Sequence, residues 1–372
     1  MSLAPQLADL ERLAIMGRLR SLAPEQGVDF ASNDYLGLAA SPLLVDAARS
    51  GLDRGVAVGS GGSRLLRGNA KEHEALEAEA ATFFGAETAL FFPNGYTANS
   101  ALLSTLPQRG DMIFADELVH ASMHEGLRLT RADYRLLPHN DVQAMADAIT
   151  AWRQGGGAGQ VWVAVESLYS MDGDFAPLAE LSMLAEAEGA LLLVDEAHAT
   201  GAFGAQGRGL VANLQKRNHI ITLHTCGKAL GSEGALLCGP AAMKDFLINR
   251  ARGFIFSTAP SPLTAAIIRA ALKTVRDGDG LRQALLTRIA HAEALLGPLG
   301  AQCHGSPIIP LVLGEDARAM AVAAKLQAAG YDVRGIRPPT VPEGTARLRI
   351  VITLNATLDD ISGLASALEA AL

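Results

Sequence analysis

Apolar and polar positions follow two regimes along this chain. Between Ala89 and Gly239, short and largely apolar runs recur, each followed by a stretch of helical period. Ala89–Phe92, Met112–Ala115, Ala132–Leu137, Val161–Val165, Leu191–Val194 and Ile220–Leu223 are predicted to be strands. Their apolar residues do not alternate strictly with polar ones, as burial on both faces requires. Helices are predicted from the turn at Pro93 to Leu106, over Val142–Trp152 and over Leu178–Glu188. Strands alternating with helices predict an α/β fold, with a mostly parallel central sheet covered by helices on both faces.

The flanks read differently. Ala4–Leu22 is amphipathic, Asp29–Pro42 is a strand-and-turn segment, and Pro42–Arg54 and Glu72–Phe84 have helical period around a glycine-rich loop, Gly55–Asn69. After Gly239, Gly253–Pro262 is predicted as a strand and a proline-rich turn, and Leu263–Val275 and Leu281–Leu296 as helices. A small α+β domain is expected at the end. It is built from strand-like Ile308–Leu313, helical Ala317–Ala329, extended Tyr331–Gly335, strand-like Arg347–Thr353 and helical Asp359–Leu372. The expected organisation is an arm over 1–40, a large domain over 41–275 and a small domain over 276–372.

Length and composition narrow the function. The 372 residues suffice for two domains. With 49% hydrophobic and 19% charged residues the chain is globular, and a net charge of −8 argues against a nucleic-acid surface. No apolar run is long enough to span a membrane, and the first twenty residues lack the layout of a signal peptide. Cys226, Cys238 and Cys303 show no CxxC spacing, so a reduced, cytoplasmic chain without a metal site is expected.

The chemistry gathers behind the predicted strands. Asn94, Glu166, Asp195 and Lys228 each follow a strand closely, where open α/β sheets bind ligands. Lys228 sits among Cys226, Gly227, Ala229 and Gly231, which argues against a solvated surface lysine. Asp195 alone could be a helix cap. With His198 three residues on, and with Lys228, it suits pyridoxal phosphate. That cofactor needs an anion at its ring nitrogen, a donor at its phenolic oxygen and an amine for its aldehyde. The turn PNGYTANS precedes a helix and could seat a phosphate on free N–H groups or be an ordinary β-to-α turn. No GxxxxGK[ST] exists, so DEAH at Asp195–His198 is no helicase signature.

SNDYLGL, GSGGSRL, HEALE, DELVHAS, YSMDGDFAPL, VDEAHATG, TCGKALG, FSTAPSP and PPTVPEGTARLRI follow one another from Ser32 to Ile350. In this order they resemble the α-oxoamine synthase family of fold-type I, aminotransferase-like pyridoxal-phosphate enzymes. The resemblance implies that Lys228 carries the cofactor and serves as base, that Asp195 pairs with the ring nitrogen, that His198 with Ser170 meets the phenolic oxygen, and that His120 stacks on the ring. Gly95, Tyr96 and Thr225 would hold the phosphate, with Thr258 supplied by the other subunit of a homodimer and Gly59–Ser63 nearby.

Arg349 would bind the amino-acid carboxylate, as a bidentate guanidinium can. Arg347, two residues earlier, is expected to be a solvated strand residue. Arg337, Thr340, Asn33 and Arg20 are further substrate candidates. The implied reaction is decarboxylative condensation of an amino acid with an acyl-CoA. Alanine is favoured because Ser63 stands where glycine-using relatives carry Thr, and a pimeloyl thioester is the expected acyl donor, from CoA or a carrier protein. Alternatives are serine with palmitoyl-CoA, a glycine-using synthase or ligase, and a silent partner subunit, which intact Lys228, Asp195 and His198 oppose.

Overall fold

The computed structural model describes residues 3–22, 24–214 and 218–372. Helix α1 (Ala4–Ile15) and the two-residue strand β1 (Val28–Asp29) precede α2 (Pro42–Asp53) and α3 (Lys71–Phe84). Then come β2 (Thr88–Phe92), α4 (Gly95–Thr105), β3 (Met112–Asp116), α5 (Ala121–Leu129), β4 (Asp133–Leu137) and α6 (Val142–Gln154). The alternation continues with β5 (Val161–Glu166), α7 (Leu178–Ala187), β6 (Leu191–Asp195), β7 (Ile220–Thr225) and β8 (Ala235–Gly239). Helices α8 (Ala241–Arg250), α9 (Arg252–Ile255), α10 (Pro262–Asp277) and α11 (Asp279–Leu296) follow. The chain ends with β9 (Ile308–Gly314), α12 (Asp316–Ala328), β10 (Tyr331–Asp332), β11 (Arg334–Ile336), β12 (Ala346–Val351) and α13 (Leu358–Ala371).

Two expectations shift. The first helix stops at Ile15, because Gly17 turns to a φ of +66° and breaks the helical path. Gly253–Pro262 holds no strand. Arg252–Ile255 is a single helical turn that buries Phe254 against Phe92, with ring centroids 5.5 Å apart. Packing on the sheet's helical cover overrides the β-propensity of FIF.

The chain forms two compact units: Asp34–Ser170 with Asp174–Gln283, and Met1–Asn33 with Met171–Gly173 and Ala284–Leu372. The partition runs through α11, and the N-terminal segment groups with the C-terminal residues. The larger unit holds a seven-stranded sheet in the order β2-β8-β7-β6-β5-β3-β4. Strand β8 runs antiparallel to β2 and β7, and the other described pairs of this sheet are parallel. In the central strands β3, β5, β6 and β7 alternate side chains enter opposite cores, as Ile113 and Ala115 join one and Met112 and Phe114 the other. That is why these strands are largely apolar. The edge strand β4 is instead largely exposed, which its Asp133 and Arg135 suit. Register sets Glu166 beside Asp195 and Asp195 beside Leu223, so the carboxyl ends of β5, β6 and β7 finish together.

The smaller unit has an antiparallel sheet, β11-β12-β9, and the parallel pair β1-β10. Period two puts Arg347 and Arg349 on one face of β12. Arg347 is not the solvated residue expected. It is 5% exposed, donates to Asp172 Oδ1 at 2.6 Å and to the Met171 carbonyl at 3.2 Å, and so anchors the Met171–Gly173 segment.

A buried carboxylate organises the glycine-rich loop. Glu77 on α3 is 4% exposed, and it accepts from Arg64 at 2.8 Å, from Lys244 at 2.9 Å and from the Phe91 N–H at 3.0 Å. Arg64 lies next to Ser63 and is itself buried. Glu77→Ala strands Arg64 without a counter-charge and is expected to cost about 3–5 kcal/mol. Denaturant midpoints of the two proteins check this; a loss below about 1 kcal/mol, the level of an exposed pair, would show that Glu77 is not the anchor.

Candidate active site

The site grows from the strand ends of the larger unit. Strand β6 delivers Asp195, buried to 5% exposure. Its Oδ1 accepts the Ala197 N–H at 2.8 Å, and its Oδ2 accepts Asn99 Nδ2 at 2.7 Å. Burying a carboxylate costs several kcal/mol. Hydrogen bonds to a charged group each return about 1.5–3 kcal/mol. Two neutral donors leave Asp195 suited to a further, cationic partner, which a protonated ring nitrogen provides.

Lys228 follows β7 on a turn of small residues. Its Nζ lies 2.8 Å from His198 Nε2, and His198 Nδ1 lies 2.6 Å from the hydroxyl oxygen of Tyr35. With the Tyr35 hydroxyl donating to Nδ1, the ring proton sits on Nε2, the nitrogen that faces Lys228 and that would serve a phenolic oxygen. Tyr35, fully buried, thereby fixes the imidazole that faces the lysine.

His120 caps the N-terminus of α5, accepting the Ser122 N–H on Nδ1 at 3.2 Å. It is therefore a capping histidine as well as a candidate stacking residue. Ser122 Oγ stands 2.8 Å from the same nitrogen and accepts Asn99 Nδ2 at 3.0 Å. A continuous polar chain thus runs from His120 through Ser122 and Asn99 to Asp195. Burial chiefly lowers the pKa of His120; Asp195 raises it, and Lys228 and His124 lower it further. The ring is neutral at physiological pH and offers an uncharged face.

The phosphate candidates also converge. Asn94 caps α4 and takes the Thr97 N–H at 2.8 Å, leaving the first-turn N–H groups of Gly95 and Tyr96 for an anion. A methyl group added at Gly95 would stand 3.7 Å from Thr225 Oγ1, so the helix start and this hydroxyl are adjacent. Tyr96 meets His120 edge-on, with centroids 6.5 Å apart.

Glu166 is fully enclosed beside Asp195; its Oε2 accepts the Ser170 N–H at 3.2 Å and its Oε1 has no partner. Burial first, and Asp195 second, raise its pKa well above the usual carboxylate range, against the pull of Lys228. The enclosure thus favours the protonated form of Glu166.

Ser63 and Thr258 lie on two segments of this unit that are hydrogen-bonded to each other. The Ala259 N–H donates to the Gly62 carbonyl at 2.9 Å, and Ser60 Oγ donates to the Ala259 carbonyl at 2.9 Å. In the smaller unit, Arg349 donates to Asn33 Oδ1 at 3.0 Å. Arg20 donates to Thr340 Oγ1 at 3.1 Å, and Arg337 donates to the Leu19 carbonyl at 3.0 Å. The proposed substrate residues of that unit therefore fall into two groups.

Asn99, Ser122 and Tyr35 are absent from the sequence-based set. Asn99 stands one turn after Gly95, and Tyr35 is the one bulky residue of SNDYLGL that carries a hydroxyl. Glu196 of DEAH is structural: it accepts Ser167 Oγ and the N–H groups of Leu210 and Val211. The donor set fits pyridoxal phosphate, with Lys228 for the aldehyde, Asp195 for the ring nitrogen, His198 for the phenolic oxygen and the α4 start for the phosphate.

A mostly parallel sheet carrying this constellation is that of the fold-type I pyridoxal-phosphate enzymes. The chain belongs to the aminotransferase class I and II family, which it matches over residues 25–368. It is 40% identical to the 8-amino-7-oxononanoate synthase of Herminiimonas arsenicoxydans, across 100% of this chain and 99% of that one. The synthase of that name from Geobacter sulfurreducens is 42% identical over 96% of this chain and 94% of its own length. Among solved structures, 8-amino-7-oxononanoate synthase from Francisella tularensis superposes with a TM-score of 0.78 at 29% identity, covering 92% and 97% of the two chains. Serine palmitoyltransferase from S. paucimobilis, with bound PLP–myriocin aldimine, gives 0.91 at 25% identity, covering 100% and 98%.

Because burial and Asp195 raise the pKa of Glu166 above its unfolded value, Glu166 costs stability progressively as pH rises through and above the ordinary carboxylate range. Glu166→Gln removes that cost. Melting curves of the cofactor-free protein from about pH 5 to about pH 8 are expected to show the Gln variant gaining on the parent as pH rises. A Gln variant that falls behind with pH would mean an ionised Glu166.

Proposed function

We infer that this chain condenses L-alanine with a pimeloyl thioester, of CoA or of a carrier protein, and releases 8-amino-7-oxononanoate, the free thiol and CO2, a step of biotin biosynthesis. The observation that carries the chemistry is Lys228 Nζ at 2.8 Å from His198 Nε2, behind the strand next to that of Asp195. The substrates follow from the 40–42% identity, over nearly whole chains, to synthases of that name.

When bound, pyridoxal phosphate supplies the electron sink that the α-carbon needs after losing a proton and again after losing CO2. The protein does the rest. Lys228 Nζ takes the α-proton of the amino acid and later returns one to the product carbon. Asp195, fixed by Asn99 and the Ala197 N–H, keeps the ring nitrogen protonated. His198, oriented by Tyr35, donates at the phenolic oxygen with Ser170. His120, neutral, bounds the other face. The new carbon–carbon bond forms as the thiolate leaves, the carboxyl group departs as CO2, and one proton is taken up overall. Arg349, braced by Asn33, provides the guanidinium for the carboxylate before it leaves. Arg20, Arg337 and Thr340 are the candidates for the acyl substrate.

A homodimer is part of the proposal. Val58, Leu65, Leu66 and Phe256 are 50–85% exposed beside Ser63 and Thr258, which supports a partner surface that covers them and receives Thr258.

Serine with palmitoyl-CoA is the second reading, favoured by the higher TM-score of the palmitoyltransferase structures. Backbone likeness is shared by enzymes with different substrates, so the higher sequence identity to the synthases weighs more. Ser63 leaves room for the alanine methyl, a contact worth only about 1–3 kcal/mol.

Thiol release from pimeloyl-, palmitoyl- and succinyl-CoA with alanine, serine or glycine tests the assignment. Alanine with pimeloyl-CoA is expected to lead in kcat/KM by at least about tenfold, and Lys228→Ala to lower it at least about 100-fold. A lead for serine with palmitoyl-CoA overturns the substrate assignment, and full activity in Lys228→Ala overturns the mechanism.

A further inference from the structure

Two motif acids remain unused by this reaction: Asp116, which opens DELVHAS, and Asp174, in YSMDGDFAPL. They meet on one imidazole. His139, in the turn after β4, places Nδ1 3.0 Å from both oxygens of Asp116 and Nε2 2.8 Å from Asp174 Oδ2. Asn140 doubles the link, donating its N–H to Asp116 Oδ2 at 2.7 Å and its Nδ2 to Asp174 Oδ2 at 2.8 Å. Tyr169 closes one side, its ring edge-on to His139 at 4.4 Å.

Both ring nitrogens face carboxylates, so both act as donors and the ring is an imidazolium. Burial opposes the charge, but the two carboxylates outweigh it and raise the pKa to about 10. Asp116 is 3% exposed and Asp174 about a fifth exposed, so the contacts are shielded from water and salt more than surface pairs are.

Each carboxylate also shapes a loop of the site. Asp116 Oδ1 accepts the Leu118 N–H at 2.8 Å and its carbonyl accepts the Val119 N–H, which forms the turn that ends at His120. The Asp174 carbonyl accepts the Tyr169 N–H at 3.0 Å, which closes the loop carrying Ser170. The segments rise from the carboxyl ends of β3, β4 and β5, three neighbours at one side of the sheet.

We propose that His139 is a positioning residue of the active site, a charged clamp whose two ring nitrogens hold the turn of His120 and the loop of Ser170 in one fixed relation. This rests on the reading of His120 and Ser170 as cofactor contacts. His139 touches neither substrate nor cofactor. It acts through Asp116 and Asp174.

The test uses the cofactor-loaded enzyme. His139→Gln keeps a donor for one carboxylate and removes the charge; Asp174→Asn keeps the His139–Asp116 pair and loosens only the second arm. Measured per folded, cofactor-bound site, kcat is expected to fall about 10–100-fold, while KM for the amino acid changes less than about threefold. The induced circular dichroism of the bound cofactor should change with it. For His139→Gly, added imidazole should restore part of both signals. If His139→Gln does not fold, Asp174→Asn carries the test. A merely structural role lowers the melting temperature and leaves kcat per bound site and the dichroism at parent values; that result overturns the clamp. A parent protein that takes up no pyridoxal phosphate overturns the function reading instead, and the clamp falls with it.

Discussion

A carboxylate buried at the end of a central strand is the constraint on which the site depends. Asp195 receives one backbone N–H and one amide side chain, and it sits beside a second acid, Glu166, whose pKa is raised by burial first and by Asp195 second. Two adjacent negative charges in so dry a place would repel strongly. The raised pKa of Glu166 eases that repulsion. Asn99 then links Asp195 through Ser122 to His120, so the two proposed contacts of the cofactor ring share one hydrogen-bonded chain.

The fold makes this possible by finishing several strands at one level. Register pairs Glu166 with Asp195 and Asp195 with Leu223, and the loops beyond them need only a few residues to bring His198 and Lys228 together. The same edge provides the start of α4, whose unspent N–H groups suit a phosphate. Rigid strands carry the residues that must not move, and a second set of buried charges locks the loops. Glu77 holds the glycine-rich segment through Arg64, and Arg347 holds Met171–Gly173 through Asp172.

Much of this was legible in the residues. Strands buried on both faces announce themselves as apolar runs, and their ends mark where Asp195 and Lys228 stand. What escaped notice depends on segments that meet only in space. Asn99 looks like any polar residue on a helix until Asp195 and Ser122 are placed beside it. Asp116, His139 and Asp174 are far apart in sequence and ordinary singly. Arg347 reads as solvent-facing because periodicity gives a face but not what covers it. Phe254 reads as a strand residue because local propensity does not register the helix and Phe92 against which it packs. Local pattern reports burial well and reports partners poorly.

The central claim is that Lys228 is the residue to which the cofactor attaches. Borohydride reduction of the pyridoxal-phosphate-loaded protein, followed by proteolysis and mass spectrometry, reads that attachment directly. The reduced pyridoxyl group is expected on the peptide containing Lys228 and is expected to be lost in Lys228→Ala. A label on a different lysine, or a loaded protein that yields no labelled peptide, would contradict it.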